Sequence, residues 1–163
     1  MIFHYQTLVA GLIGFVGVIL SLIANGYFAR RQERERIAHN KLTILAALKA
    51  ELRVNLGTFE ARAIQLERPF NYEGDGYLPL VVFNDVYQQL LNQLGLLDEE
   101  HAESIIKVYL AIEELPSTME LLSELNIIND QFVQFRNPEQ KAYAARKYKE
   151  LASLIKEAIE QLS

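Results

Sequence analysis

The sequence predicts an all-α fold: one N-terminal transmembrane helix continuing into an antiparallel bundle of three to four helices. Three observations predict it. No Asp, Glu, Lys or Arg occurs before Arg30, so the chain opens on an uncharged, largely apolar run. Farther on, apolar side chains recur at steps of three and four, the period of a helix with one buried face. Only 8 glycines and 4 prolines interrupt 163 residues, and no stretch alternates at the two-residue period of a strand of useful length. The expected organisation is residues 1–29 as an extracytoplasmic head and membrane anchor, 30–66 as a basic collar and first cytoplasmic helix, and 67–163 as the rest of the bundle.

Residues 8–29 form the expected anchor. Twenty-two residues at the helical rise span roughly 33 Å, enough for the hydrocarbon layer. A buried core helix is the competing reading, but a soluble domain of this size has little material to cover such a helix on every face. A cleaved signal peptide is disfavoured because residues 1–7 carry no Lys or Arg and no small-x-small site stands out near Tyr27. Within the span, Ala10, Gly14, Gly17, Ser21 and Ala24 recur at steps of four and three, which puts small residues on one face and allows two helices to approach closely.

Charge sets the expected orientation. No Lys or Arg precedes the span, whereas Arg30, Arg31, Arg34 and Arg36 follow it at once, so the body is expected in the cytoplasm and the N-terminus outside the cell membrane. Residues 30–49 carry six basic and two acidic residues, residues 73–130 carry twelve carboxylates against Lys107, and residues 131–163 return to +2. This pattern disfavours nucleic acid as a partner, because phosphate binding wants a basic face and the one strongly basic segment adjoins the apolar run. The lipid bilayer is the expected partner of the anchor and collar, and a second copy of the chain or another protein that of the body.

In the body, Leu45, Leu48, Leu52, Leu56, Phe59, Ala63 and Leu66 form a seam along a helix that no proline interrupts, with Gly57 too weak a breaker to end it. The seam suits packing within the bundle or a coiled coil with another chain. Residues 67–79, with Pro69, Gly74, Gly76 and Pro79, read as a loop, and Asn71, Glu73 and Asp75 supply too few oxygens for a calcium loop. A second helix is expected from Leu80 or Phe83 to Leu94, with Phe83, Val86, Tyr87, Leu90, Leu91 and Leu94 on its apolar face and Gly95 as its stop. Asp98 suits the N-cap of a third, with Glu99 and Glu100 favoured in its first turn. This helix should bury Ala102, Ile105, Ile106, Tyr109, Ile112 and Leu115, bend or restart at Pro116, and resume through Met119, Leu122 and Leu125 to about Ile128. Asn137, Pro138 and Gln140 form a start signal for a last helix that carries Ala144, Tyr148, Leu151, Ile155, Ile159 and Leu162.

Catalytic chemistry is not legible. The absence of cysteine removes thiolate metal sites and thiol nucleophiles, His4, His39 and His101 are scattered, and no phosphate-binding loop, nucleophile elbow or paired metal-ligand motif occurs. The cluster Asp98, Glu99, Glu100, His101 and Glu103 fans around a helical turn and reads as capping and solvation. Adjacent Glu113 and Glu114 point apart, and Tyr87, Tyr109, Tyr143 and Tyr148 read as core rings with hydroxyls at a rim. No cofactor, metal or enzymatic activity is expected.

The run Ala29-Arg30-Arg31-Gln32, the segment Leu48-Lys49-Ala50-Glu51-Leu52-Arg53-Val54-Asn55-Leu56, and Val86-Tyr87 followed by Leu94-Gly95-Leu96-Leu97 resemble small bacterial and phage proteins with one N-terminal membrane helix and a helical cytoplasmic body. The likeness covers residues 8–115. It implies the architecture and a prokaryotic origin but no activity, and no functional residue is carried over. The leading expectation is a membrane-tethered, non-enzymatic adaptor or scaffold acting by self-association or protein binding. A sensor or signalling subunit of a membrane complex and a phage or defence effector acting on the bilayer are the alternatives.

Overall fold

The computed structural model describes residues 2–69, 77–123, 127–128, 132–135 and 137–162, with side chains described from Gly14 onward and not at 127–128. The chain divides into two units, Met1–Leu42 and Thr43–Ser163. Four α-helices dominate the described residues: α1 (Ile2–Glu67), α2 (Asp85–Leu90), α3 (Glu99–Leu122) and α4 (Pro138–Gln161). A 3₁₀ helix, Leu91–Leu96, follows α2 directly.

The first unit consists of the N-terminal part of α1. Among the described residues no helix is long and apolar enough to cross a membrane. The expected span, residues 8–29, starts six residues before the first described side chain. The backbone of residues 8–29 is helical throughout as part of α1.

The second unit is the helical bundle. Leu45, Leu48, Leu52, Phe59, Ala63 and Leu66 of α1 are buried, and Leu56 packs beside them. The seam is therefore covered from within the same chain, which decides between the two packings that its period allows. Gly57 sits inside α1 with nothing near its missing side chain, so the helix runs through it. From α3 come Ile105, Val108, Tyr109, Ile112, Leu115 and Met119, and from α4 Ala144, Ala145, Tyr148, Leu151 and Ile155. Phe59 and Tyr148 meet edge to face at 5.5 Å between ring centroids, tying α1 to α4.

Several expectations are corrected. Three short strands form an antiparallel sheet of order β1-β3-β2: β1 (Tyr77–Pro79), β2 (Ile127–Ile128) and β3 (Phe132–Gln134). Leu78 lies opposite Val133, and both are buried in the core. Runs of two or three residues are too short to show a strand period, and Pro79 is tolerated because β1 is an edge strand. Ile127 and Ile128 pair with Val133 and Phe132 and so do not extend α3. The third helix ends instead at Leu122, where Ser123 caps it by donating its hydroxyl to the Glu120 carbonyl at 2.8 Å. Pro116 neither ends nor restarts α3, which continues through it.

The second helix starts later and ends sooner than expected. Residues 80–84 belong to no helix or strand, α2 begins at Asp85, and Gly95 falls inside the 3₁₀ helix, so the stop passes to Leu97. Phe83 and Leu91, assigned to the apolar face, are exposed, as is Ile106 on α3. The loop residues Asn71, Glu73, Asp75, Gly74 and Gly76 lie outside the described residues, as does Leu125. Asn137 does cap α4, its Oδ1 accepting the Gln140 N–H at 2.8 Å with Pro138 in the first turn.

Candidate functional site

Two sets of side chains stand out. The first is the surface of residues 14–29, where no charged residue occurs and every position is exposed. Phe15, Val16, Val18, Ile19, Leu20, Leu22, Ile23, Tyr27 and Phe28 are each between 40% and 66% exposed. They lie all round the helix. Gly14 and Gly17 have open space where a side chain would stand, while Ser21 donates its hydroxyl to the Gly17 carbonyl at 2.8 Å. That bond satisfies the hydroxyl within the helix, so Gly14, Gly17, Ser21 and Ala24 present a smooth face. The side chain of Ala10 lies outside the described residues. The collar is exposed throughout: Arg31 pairs with Glu35 and Arg36 with Glu33, both at 2.9 Å, and Arg30 and Arg34 face solvent.

The second set was not legible as a site. Glu51, Asn55 and Arg62 on α1 are buried, four and seven residues apart and so on one helical face. They grip the main chain of residues 81–87. Arg62 donates to the Val81 carbonyl at 2.8 Å, and Asn55 both donates to the Phe83 carbonyl at 2.5 Å and accepts the Phe83 N–H at 3.0 Å. The Glu51 carboxylate accepts the N–H groups of Val86 at 2.8 Å and Tyr87 at 3.1 Å. This strap runs antiparallel to α1. As the contacts pass from Arg62 through Asn55 to Glu51, their partners pass from Val81 through Phe83 to Val86 and Tyr87.

Glu51 does for α2 what an N-cap side chain does. The residue at the cap position, Asn84, makes no capping bond and instead donates to Glu113 at 3.0 Å, where Gln88 also donates. The first-turn N–H groups of α2 are satisfied by a carboxylate from another helix, a placement that the helix dipole also favours. Tyr109 donates a third hydrogen bond to Glu51 at 2.7 Å, and its ring stacks on Tyr87 at 4.1 Å. Burial first, and then the bond to Glu51, push the Tyr109 hydroxyl far above the ordinary tyrosine range. Burial raises Tyr148 as well, while the guanidinium of Arg62 opposes the rise. With three donors on its two oxygens, Glu51 ties α1, α2 and α3 together.

His101 reaches across to the end of α4, its Nε2 lying 3.2 Å from the Gln161 carbonyl while its Nδ1 meets Asp98. Asp98 thus holds the cap position of α3 but turns its carboxylate to His101. Among the described residues no three His, Asp or Glu side chains are gathered where a metal ion could sit. Flanking the seam is the signal that could have found the buried polar row: Glu51, Asn55 and Arg62 each immediately precede Leu52, Leu56 and Ala63. No protein-family model, curated protein or solved structure matches this chain.

Proposed function

We propose that the protein is a membrane-tethered, non-enzymatic helical adaptor: residues 8–29 cross the cell membrane, the collar Arg30, Arg31, Arg34 and Arg36 meets anionic headgroups, and the body lies in the cytoplasm. The observation that carries this reading is the all-round apolar exposure of residues 14–29. Nine large hydrophobic side chains left in water would forgo about 25 cal/mol for each Å² of apolar surface, and lipid is the medium that covers every face at once. The abrupt switch to arginine at residue 30 supports the orientation. The open face of Gly14, Gly17, Ser21 and Ala24 supports self-association within the bilayer.

The chain has no cysteine, so an introduced one is its sole thiol. Thr7→Cys and Ser163→Cys, treated in intact cells with a membrane-impermeant maleimide, should label at position 7 alone. Labelling at 163 alone would reverse the topology, and labelling at both would remove the tether. Gly17→Cys should cross-link to a second copy on mild oxidation while Ile19→Cys does not. Equal yields at the two positions would discard the packing face.

A further inference from the structure

We infer that the cleft between the C-terminal end of α1 and the first half of α4 binds a phosphate group carried on a small organic body. Within the second unit this cleft has a volume of about 400 Å³. Among the described residues its walls carry Arg68, Lys141, Arg146 and Lys149 against one carboxylate, Glu67, a balance of +3 for that lining in a chain whose net charge is −5. Such a concentration of cations in an acidic protein draws a multiply charged anion to one place.

The cations are arranged in two tiers. Lys141 is buried, and its ammonium donates to the Arg68 carbonyl at 3.0 Å and the Pro69 carbonyl at 3.5 Å. It thereby ties the start of α4 to the chain just beyond α1. Lys149 is held in place by its pair with Glu67, and the Arg146 guanidinium lies 5.6 Å from the Tyr143 ring. Arg68 and Arg146 bring guanidinium groups, whose planar forks suit phosphate oxygens better than a point charge does. The N-terminus of α4 opens at Pro138 on the same cleft and adds the positive end of its dipole. Leu66, Ala142 and Ala145 line the rest. That apolar wall suits an organic body beside the phosphate, and the volume exceeds what a bare ion fills.

A soluble phosphate ester and a lipid headgroup share this chemistry, and one experiment separates them. The full chain, labelled with ¹⁵N at alanine and held in phosphatidylcholine nanodiscs, is titrated with pyrophosphate at constant ionic strength. The Ala142 and Ala145 amides should shift saturably. Arg146→Gln and Lys149→Gln should each weaken the apparent affinity about tenfold, the loss of one charge-assisted hydrogen bond, and Lys156→Gln, outside the cleft, should leave it unchanged. Discs containing phosphatidylglycerol distinguish the sources. A shift present before pyrophosphate is added, and lost in Arg146→Gln, assigns the phosphate to lipid, whereas a shift that appears only on titration assigns it to a soluble ester. Three results would overturn the inference: no shift under any condition, shifts that survive both substitutions, or shifts that grow with protein concentration without phosphate. The last would place the acidic segment of a second copy in the cleft.

Discussion

The two ends of α1 have the same backbone geometry and opposite surroundings. From residue 14 to 40 every side chain is exposed whatever its chemistry, so Leu22 and Arg31 alike face outward. From residue 43 to 67 exposure follows the helical period instead: Leu48, Leu52 and Phe59 are fully buried while Val54 and Ile64 are open. A helix that is apolar all round needs cover on every face, whereas a helix with one apolar stripe needs it on one. The difference teaches that hydrophobicity alone does not place a residue in a core. What decides is whether a complementary face is packed against it.

The contrast is easiest to break with paired truncations. Phe59→Ala should cost about 4 kcal/mol in denaturant unfolding of the bundle, from lost transfer energy and the cavity left behind, while Leu20→Ala leaves the midpoint unchanged. A comparable loss at Leu20 would mean that residue 20 contributes to a folded core. Next in size is Glu51→Ala, which strands the Val86 and Tyr87 N–H groups and the Tyr109 hydroxyl and should cost about 3 kcal/mol. Glu51→Gln tests the cause: it keeps the volume but turns an amide donor toward backbone donors, so it should restore at most half of the loss. Full recovery would show that packing, not acceptance, is what Glu51 contributes.

Alkaline titration gives a smaller effect of known sign. Above pH 10 the unfolded chain releases tyrosine protons that Tyr109 and Tyr148 keep in the folded state. The folded form then binds more protons. Stability present below pH 10 therefore falls as pH rises, by about 1.4 kcal/mol per pH unit for each retained proton. Tyr109→Phe should reduce that slope by one proton, and an unchanged slope would place the titration elsewhere. Smallest of all, Arg31→Ala breaks an exposed i,i+4 pair and should shift stability by less than about 0.5 kcal/mol. A larger effect would sharpen the comparison by revealing a packed neighbour at the collar.

The parts of the fold governed by short-range rules were legible. The seam from Leu45 to Leu66 follows from spacing, and the start of α4 from the Asn137-Pro138 pair, because caps and periods are decided by residues a few positions apart. The sheet was not legible, since Leu78 meets Val133 across more than fifty residues and neither strand is long enough to announce itself. The late start of α2 was not legible, because its first turn is capped by Glu51 from another helix and not by a neighbour in sequence. The buried row was hidden for a different reason. Glu51, Asn55 and Arg62 are polar, and a reading built on apolar period assigns polar positions to water unless a partner is known. Besides the hydroxyls of Tyr109 and Tyr148, their partners are main-chain groups 19 to 36 residues away, which carry no side-chain signature.

That last fact bears on how the molecule tolerates change. Because α1 grips the strap by its peptide groups, the side chains of Val81 and Phe83 are spectators to the grip and are free to vary in kind, as their exposure allows. Proline is the exception at positions 83, 86 and 87, where each amide hydrogen is in use. The permissive half of this attachment lies on the surface strap and the exacting half is held in three residues of a single helix, so the surface can be remodelled without dismantling the bundle.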